Sequence, residues 1–309
     1  MSWSADDIGD QGGRRALITG VTGGLGFHTA LQLARHGAEL VVTARDAGRA
    51  EDTLARLRHE VPGAVVAVVP LDLADLADVR RAADDVAARH DRLDIMVNNA
   101  GIMIPPSRRT ADGFELQLGT NHLGHFLWTA LLWPLLTPTA RVVSVSSLAH
   151  GSVRGIDLRS FTPEGSPRRY RRWQSYGESK LANLLFALEL DRRAKASGLG
   201  MVSVAAHPGF ASTNLTRTGL AMGRGSLVAS GLHQVSRPFG QSAAMGALPL
   251  LMAATDPTLH GGEYLGPKGL GGLHGRPTLV SPSGTARDEA LAEVVWAASE
   301  TAVGRQFDP

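Results

Sequence analysis

Runs of apolar residues alternate with helix-like patterns from residue 15 to about residue 205. The run at 39–44 is continuous, as expected of a strand that a parallel sheet buries on both faces. Similar runs predict strands at 15–19, 64–69, 93–97, 141–145 and 201–205. Between them, apolar residues recur every three or four positions, which predicts helices at about 25–36, 76–90, 114–136 and 176–196. This alternation indicates an α/β protein with a doubly wound parallel sheet.

We predict a single domain, because no linker rich in proline, serine or glycine interrupts the alternation. Residues 1–13 form an N-terminal arm, in which Trp3 and Ile8 are candidates for docking, and residues 14–309 form the domain. Insertions at 151–173 and 212–240 follow strands, at the edge where open α/β sheets bind ligands. The first insertion is interpreted as a solvated loop rather than an anion site, although it carries Arg168, Arg169, Arg171 and Arg172. The segment near 261–275 is interpreted as a glycine-rich tail.

Composition excludes several classes of function. The hydrophobic fraction of 43% is typical of a globular protein, and a net charge of +2 is too small to indicate a nucleic-acid-binding face. The chain has no cysteine, which excludes disulfides, thiolate nucleophiles and cysteine-ligated zinc, and fits a reducing cytoplasm. The apolar stretch at 243–254 is too short to span a bilayer. We therefore expect a soluble, cytoplasmic protein without a membrane or nucleic-acid partner.

A glycine-rich turn lies between the first predicted strand and the first predicted helix. Gly20, Gly24 and Gly26 allow a sharp turn in which backbone N–H groups approach a pyrophosphate at the positive end of the helix. The alternative is a tight turn without a ligand. The position of the turn, after a strand and before a helix, favours a phosphate site.

Two of the three tyrosines are followed four residues later by lysine: Tyr176 by Lys180, and Tyr264 by Lys268. Residues four apart on a helix project from the same face. Pro267 and Gly266 break any helix in the second pair, so the sequence favours Tyr176 and Lys180. A nearby ammonium favours the phenolate and is expected to lower the pKa of Tyr176, which allows acid–base catalysis. His122 and His125 are interpreted as packing or surface residues, and no metal site is predicted.

The glycine spacing, together with the segments 144–150 and 176–183, resembles the short-chain dehydrogenase/reductase family. The resemblance extends from about residue 14 to 270 and is closest to the compact single-domain branch that includes retinol dehydrogenases and WW-domain oxidoreductases. It implies a Rossmann domain and a nicotinamide dinucleotide cofactor. It also implies that Tyr176 is the acid–base residue, that Lys180 additionally bonds the nicotinamide ribose, and that Ser147 positions the substrate. Ser146 is the competitor for that last role, because neighbouring strand residues face opposite ways.

The same resemblance assigns further positions. Asn121 matches a helical asparagine that holds a water near the site. The remaining matches are cofactor contacts, with the glycine loop at the pyrophosphate, and they are Gly20, Thr22, Gly24, Leu25, Gly26, Asp72, Leu73, Asn99, Ala100, Gly101, Pro208, Gly209 and Thr213. Family members often form dimers or tetramers, whereas some are monomers, so the resemblance is compatible with a homodimer or a homotetramer and leaves a monomer as the alternative.

Arg45, at the end of the second predicted strand, favours NADP over NAD. NAD-selective sites place a carboxylate near this position to bond the ribose, whereas a guanidinium can bond a 2′-phosphate. Asp46 leaves NAD as the alternative, because it could bond the ribose or cap the following helix. We interpret it as the cap.

These features predict an NAD(P)-dependent oxidoreductase that interconverts an alcohol and a carbonyl. A lipophilic small-molecule substrate is expected, because the insertion at 212–240 carries Leu215, Leu220, Met222, Leu227, Val228, Leu232 and Phe239. The alternative is a non-catalytic NADP(H)-binding sensor or regulatory protein, since a fold alone does not guarantee chemistry. The set of Asn121, Ser147, Tyr176 and Lys180 favours the enzyme.

Overall fold

A computed structural model describes residues 3–165, 168–210 and 241–309. These residues build an eight-stranded sheet in the order β3-β2-β1-β4-β5-β6-β7-β8. The first seven strands pair in parallel, and β8 pairs antiparallel to β7. The strands are β1 (Arg15–Thr19), β2 (Glu39–Ala44), β3 (Val66–Pro70), β4 (Leu93–Asn98), β5 (Leu136–Val145), β6 (Val202–Ala206), β7 (Tyr264–Pro267) and β8 (Pro277–Leu279).

Helices cover both faces of this sheet, as a doubly wound fold requires. They are α1 (Gly24–Arg35), α2 (Ala47–Glu60), α3 (Leu76–Arg89), α4 (Leu116–Leu118), α5 (Gly124–Leu132), α6 (Arg172–Ala196), α7 (Ala243–Thr255) and α8 (Glu289–Val303). A π-helical segment, Gly119–Leu123, joins α4 to α5. In the part of the chain that is described, no helix is both long and apolar enough to cross a membrane.

The core consists of two apolar clusters, one on each side of the sheet. Leu17 and Ile18 are neighbours on β1, are both fully buried, and belong to opposite clusters. Because both faces of the central strands are covered, these strands appear in the sequence as continuous apolar runs. Ile8 is buried in the cluster that contains Ile18, and Trp3 packs against it, so the N-terminal arm docks as expected.

The predicted elements differ from the structure mainly towards the C-terminus. The predicted helix at 114–136 ends at Leu132, because Pro134 lacks the backbone N–H that would continue it, and β5 already begins at Leu136. The interpretation of 261–275 as a glycine-rich tail was wrong, since this segment contains β7. This strand includes glycine and proline, which have low strand propensity, and it forms by pairing with β6. β8 and α8 were not predicted from the sequence.

Candidate active site

A cleft opens at the carboxyl ends of the strands, where the order of the sheet reverses between β1 and β4. Ligands of open α/β sheets bind at this switch point. The predicted cofactor residues that line the cleft are Gly20, Thr22, Gly24, Leu25, Gly26, Arg45, Asp72, Leu73, Asn99, Ala100 and Gly101. Pro208 and Gly209 follow the end of β6, whereas Thr213 lies outside the described residues.

The glycine loop packs tightly against the segment after β4. Gly20 has a φ of +74°, and a Cβ atom there would lie 2.8 Å from the Ala100 Cα. A Cβ at Gly26 would overlap the Gly20 carbonyl oxygen and would lie 2.6 Å from Asn99 Nδ2. The N-terminus of α1 has no side-chain cap, so its first N–H groups are free of a side-chain acceptor. The loop therefore has the geometry and the donors that a pyrophosphate requires.

Thr19, the last residue of β1, connects the loop to its surroundings. Its Oγ1 accepts hydrogen bonds from the backbone N–H groups of Asn99 and Ala100, both at 3.0 Å. The Asn99 side chain donates in return to the carbonyl oxygens of Thr19 and Gly20, at 2.7 and 3.1 Å. Sequence reasoning did not assign Thr19 a role. Its polar side chain at the end of an apolar strand, directly before the glycine loop, was the available signal.

His125 extends this network to Asn121. Its Nδ1 is 3.0 Å from the Asn121 carbonyl oxygen and must donate, because a carbonyl only accepts. In the neutral ring Nε2 is then an acceptor, and it lies 2.9 Å from Thr19 Oγ1. Burial lowers the pKa of His125 to about 4 and that of His122 to about 3, so both rings are neutral near pH 7. His122 lies 2.7 Å from Ser299 Oγ, and both histidines pack inside the core.

The side chain of Asn121 joins the segment after β4, which lines the cleft, to α6. Its Oδ1 accepts from the backbone N–H of Ile102 at 2.8 Å, and its Nδ2 donates to the Ile102 carbonyl at 3.0 Å. Nδ2 also lies 3.0 Å from Ser179 Oγ on α6. Asn121 belongs to the π-helical segment, a distortion that is frequent at functional sites.

Tyr176 and Lys180 are both buried on α6, with the ammonium nitrogen 6.0 Å from the centre of the tyrosine ring. Lys180 Nζ donates to the Val145 carbonyl at the end of β5, at 2.9 Å. Burial lowers the pKa of Lys180 to about 8. Burial also raises the pKa of Tyr176 to about 12, against the lowering effect of a hydrogen bond with Ser147. Burial thus outweighs the lowering that was expected from the ammonium, which is itself bonded to Val145.

The two candidate serines are distinguished by their partners. Ser147, which follows β5, is the serine whose side chain acts on the Tyr176 phenol and lowers its pKa. Ser146 Oγ instead donates to the carbonyl of Lys180 at 2.8 Å. Ser147 is thus the serine that faces the phenol. The second tyrosine–lysine pair does not share a helical face, since Tyr264 begins β7 and Lys268 lies beyond its end.

Arg45 and Asp46 have different surroundings at the end of β2. The Arg45 side chain is 61% exposed, and its Nη1 lies 3.9 Å from Asp72 Oδ2. Asp46 Oδ1 accepts from the Arg49 backbone N–H at 2.9 Å and so caps α2. The guanidinium can therefore turn towards a ligand in the cleft, while the carboxylate is engaged by the helix.

The interpretation of the first insertion as a solvated loop was wrong for Arg168. Its guanidinium bonds both carboxylate oxygens of Glu178, a buried residue of α6. Sequence reasoning missed this pair because the two residues are brought together by the turn that precedes α6. Arg169, Arg171 and Arg172 are exposed.

Two comparisons of sequence place the chain among known proteins. Residues 14–158 match the family model of the short chain dehydrogenases. Human retinol dehydrogenase 12 is 37% identical over 302 residues, which cover 96% of this chain and 88% of that protein. Mouse polyprenol dehydrogenase is 38% identical over 296 residues, which cover 93% of this chain and 83% of that protein.

A solved structure has the same fold over nearly the whole chain. It is an uncharacterized protein from Mycobacterium paratuberculosis, with a TM-score of 0.81 and 39% identity, and 99% of each chain is covered. Taken together with the relatives, the match is far too extensive to reflect the fold alone. The chain therefore belongs to the short-chain dehydrogenase/reductase family, in its retinol-dehydrogenase-like group, and is an NAD(P)-dependent oxidoreductase that interconverts alcohols and carbonyls.

Proposed function

We propose that this oxidoreductase uses Tyr176 as its acid–base residue, with Ser147, Lys180 and Asn121 around it, and acts with NADP(H) on a lipophilic alcohol or carbonyl. The observation that carries the proposal is the pair of Tyr176 and Lys180, both buried on α6 with the ammonium nitrogen 6.0 Å from the centre of the tyrosine ring. These groups lie close to the dinucleotide cleft, because Gly101 lines the cleft and a Cβ there would lie 3.6 Å from Lys180 Nζ.

The bound dinucleotide supplies or accepts the hydride. In reduction the Tyr176 hydroxyl gives its proton to the substrate oxygen, and in oxidation the phenolate takes the proton back. Ser147 bonds the substrate oxygen and holds it within reach of the phenol. A pKa of about 12 keeps Tyr176 protonated at neutral pH, which is the state that reduction requires.

Lys180 has two functions in this scheme. Its charge stabilises the negative phenol oxygen that develops when Tyr176 gives up its proton. An ammonium also has three N–H groups, and one of them donates to the Val145 carbonyl. The others can bond the ribose next to the nicotinamide. Asn121 holds Ile102 against α6, and its role in binding a water remains a prediction.

Arg45 supports NADP(H) as the preferred dinucleotide. The guanidinium is exposed at the cleft and can form charge-assisted hydrogen bonds with a 2′-phosphate. Asp46, the residue that could instead select NAD, accepts a bond from the first turn of α2.

Exposed apolar side chains next to Tyr176 and Ser147, and after β6, support a lipophilic substrate. Trp173 is 62% exposed and lies edge-on to the Tyr176 ring, with 6.4 Å between ring centres. Leu148, Phe210 and Leu273 are also exposed, and the Phe210 N–H donates to the Leu273 carbonyl at 2.8 Å. Relatives named for retinol and polyprenol, both long apolar alcohols, favour the same class. The apolar residues of 212–240 lie outside the described residues. A cytoplasmic location, predicted from the lack of cysteine, stays a prediction.

Replacing Tyr176 with phenylalanine tests the proposed chemistry. Tyr176→Phe removes the transferable proton and leaves the ring, so turnover should fall by about a hundredfold or more while NADPH binding stays nearly unchanged. The assay follows nicotinamide absorbance with a panel of aldehydes and ketones, and NADPH binding is measured by fluorescence titration. Tyr264→Phe is the matched control, because Tyr264 is also a buried tyrosine.

Wild-type turnover in Tyr176→Phe, or its loss in Tyr264→Phe alone, would contradict the proposed site. Dinucleotide binding by the wild-type protein without turnover of any panel member would favour a sensor. A wild-type protein that reduces only small charged carbonyls would contradict the lipophilic substrate.

A further inference from the structure

Ile104 has a backbone conformation that isoleucine rarely adopts. Its φ is +49°, in the left-handed region, and it is the one described residue other than glycine with a positive φ. A β-branched residue is disfavoured there, because its side chain crowds the backbone. Such a conformation persists only where the surroundings impose it, and it is found most often at functional sites.

Gln117 is the residue that holds Ile104. This glutamine is fully buried, and its Oε1 accepts from the Ile104 N–H at 2.8 Å. Its Nε2 donates to the Arg172 carbonyl and to the Tyr170 hydroxyl, both at 3.0 Å. The Tyr170 hydroxyl in turn donates to the carbonyl of Pro105 at 3.1 Å. Both amide hydrogens and the amide oxygen of Gln117 are thus used.

These bonds join two parts of the candidate active site. Arg172 is the first residue of α6, one turn before Tyr176. Ile104 belongs to the segment 101–105, which begins at Gly101 and Ile102 in the wall of the cleft. Asn121, four residues after Gln117, joins the same two parts through Ile102 and Ser179. Two amide side chains therefore hold the segment 101–105 against α6 at successive points.

We propose that Gln117 is a positioning residue, which sets the distance between the segment 101–105 and Tyr176 by holding Ile104 in its left-handed conformation and the start of α6 in place. The inference rests on the proposed function, because it takes Tyr176 as the acid–base residue. Gln117 itself touches neither substrate nor cofactor in this scheme. Its effect should therefore fall on kcat rather than on dinucleotide affinity.

The first test compares Gln117→Leu with the wild type. This change removes all three hydrogen bonds at similar volume, and kcat should fall about ten- to hundredfold because the reacting groups are displaced. The Kd for NADPH should stay within about threefold, since the glycine loop and Arg45 are untouched. Thr53→Val, a buried change on α2 away from the site, is the control and should keep wild-type kcat.

The backbone conformation of Ile104 provides a rescue experiment. Glycine adopts positive φ without steric cost, so Ile104→Gly removes the strain that the bond from Gln117 opposes. In the double variant Gln117→Leu with Ile104→Gly, kcat should recover by about fivefold or more over Gln117→Leu alone. Failure to recover would overturn the role of Gln117 in holding Ile104.

Gln117→Glu tests the proposal even if the leucine variant does not fold. A protonated carboxyl can still accept from Ile104 and donate to Arg172 or Tyr170, whereas a carboxylate cannot donate. Burial raises the pKa of such a carboxyl, so kcat relative to wild type should be near one at low pH and should fall as the pH rises. A ratio that is low and independent of pH, or wild-type kcat in Gln117→Leu, would overturn the inference.

The Tyr176→Phe variant, measured in the same assay, separates the two proposals. If Tyr176→Phe is inactive but both Gln117 variants behave as wild type, only the positioning role fails. If Tyr176→Phe is fully active, the proposed function fails.

Discussion

Tyr176 and Lys180 are four residues apart on α6, and burial moves their pKa values apart. The pKa of the phenol rises to about 12 and that of the ammonium falls to about 8, because each loses the water that would stabilise its charged form. At pH 7 the phenol is therefore neutral and the ammonium mostly charged. In the proposed mechanism this combination provides a proton to donate and a positive charge 6.0 Å from the centre of the ring that loses it.

The proposed preference for NADP(H) rests on Arg45. Arg45→Ala should weaken NADPH binding about tenfold or more, because a charge-assisted bond to the 2′-phosphate is lost, and should change NADH binding little. Dissociation constants for both dinucleotides measure this difference. Arg35→Ala, which removes a surface arginine paired with Glu60, is the control. Equal losses for both dinucleotides, or a wild-type preference for NADH, would argue against NADP(H).

At the scale of elements, the site depends on where strands end and helices begin. The carboxyl ends of β1 and β4 hold Thr19 and Asn99 together, and the end of β5 brings Ser147 to the phenol of α6. The π-helical segment lets Asn121 bond Ile102 and Ser179 while its own carbonyl accepts from His125. Apart from the bond between His125 and Asn121, each of these contacts joins two elements that are distant in sequence.

The start of α2 distinguishes the two interpretations of Asp46. Asp46→Ala should lower the free energy of unfolding by about 1 kcal/mol, because the N-cap bond to Arg49 is lost. The ratio of NADPH to NADH affinity should not change. Asp75→Ala is a matched control, since Asp75 caps α3 in the same way and does not line the cleft. A selective loss of NADH binding in Asp46→Ala would show that this carboxylate bonds the ribose.

At the scale of the whole molecule, buried histidines make the fold sensitive to acid. Burial is the main reason that the pKa of His122 is lowered to about 3 and that the pKa values of His125 and His207 are lowered to about 4. The charge of His125 is a smaller cause at His122, and that of His150 is a smaller cause at His207. Histidine in the unfolded chain has a pKa of about 6.5, so below that pH the unfolded chain binds more protons. The contribution of these neutral histidines to the stability of the fold is therefore fully present above pH 6.5 and declines as the pH falls towards 4.

We expect the free energy of unfolding to fall by about 1 kcal/mol per buried histidine between pH 8 and pH 5.5. Urea unfolding at the two pH values measures this. His122→Phe places one more ring among Phe126, Phe161 and Phe186. In this variant the fall in the free energy of unfolding should be smaller by the contribution of one histidine. His260→Gln, a change at an exposed histidine, should leave the loss as in the wild type. The same loss in His122→Phe and in the wild type would contradict the argument.

The sequence alone determined the features that depend on residues close together in the chain. The periodicity of apolar residues predicted the first six strands and the doubly wound sheet, because local spacing decides which residues share a face. The glycine loop and the pair Tyr176 and Lys180 were predictable for the same reason, since a turn and a helical face each depend on a few consecutive residues.

Only the tertiary structure decided the properties that depend on distant partners. β7 forms because β6 lies beside it, and the pKa of Tyr176 rises because other elements exclude water from it. Arg168 bonds Glu178, and Gln117 bonds Arg172. The residues of each pair are too far apart in sequence for a local pattern to predict the contact. Burial and hydrogen bonding between elements arise only once the whole chain has packed, so they are absent from the pattern of any short segment.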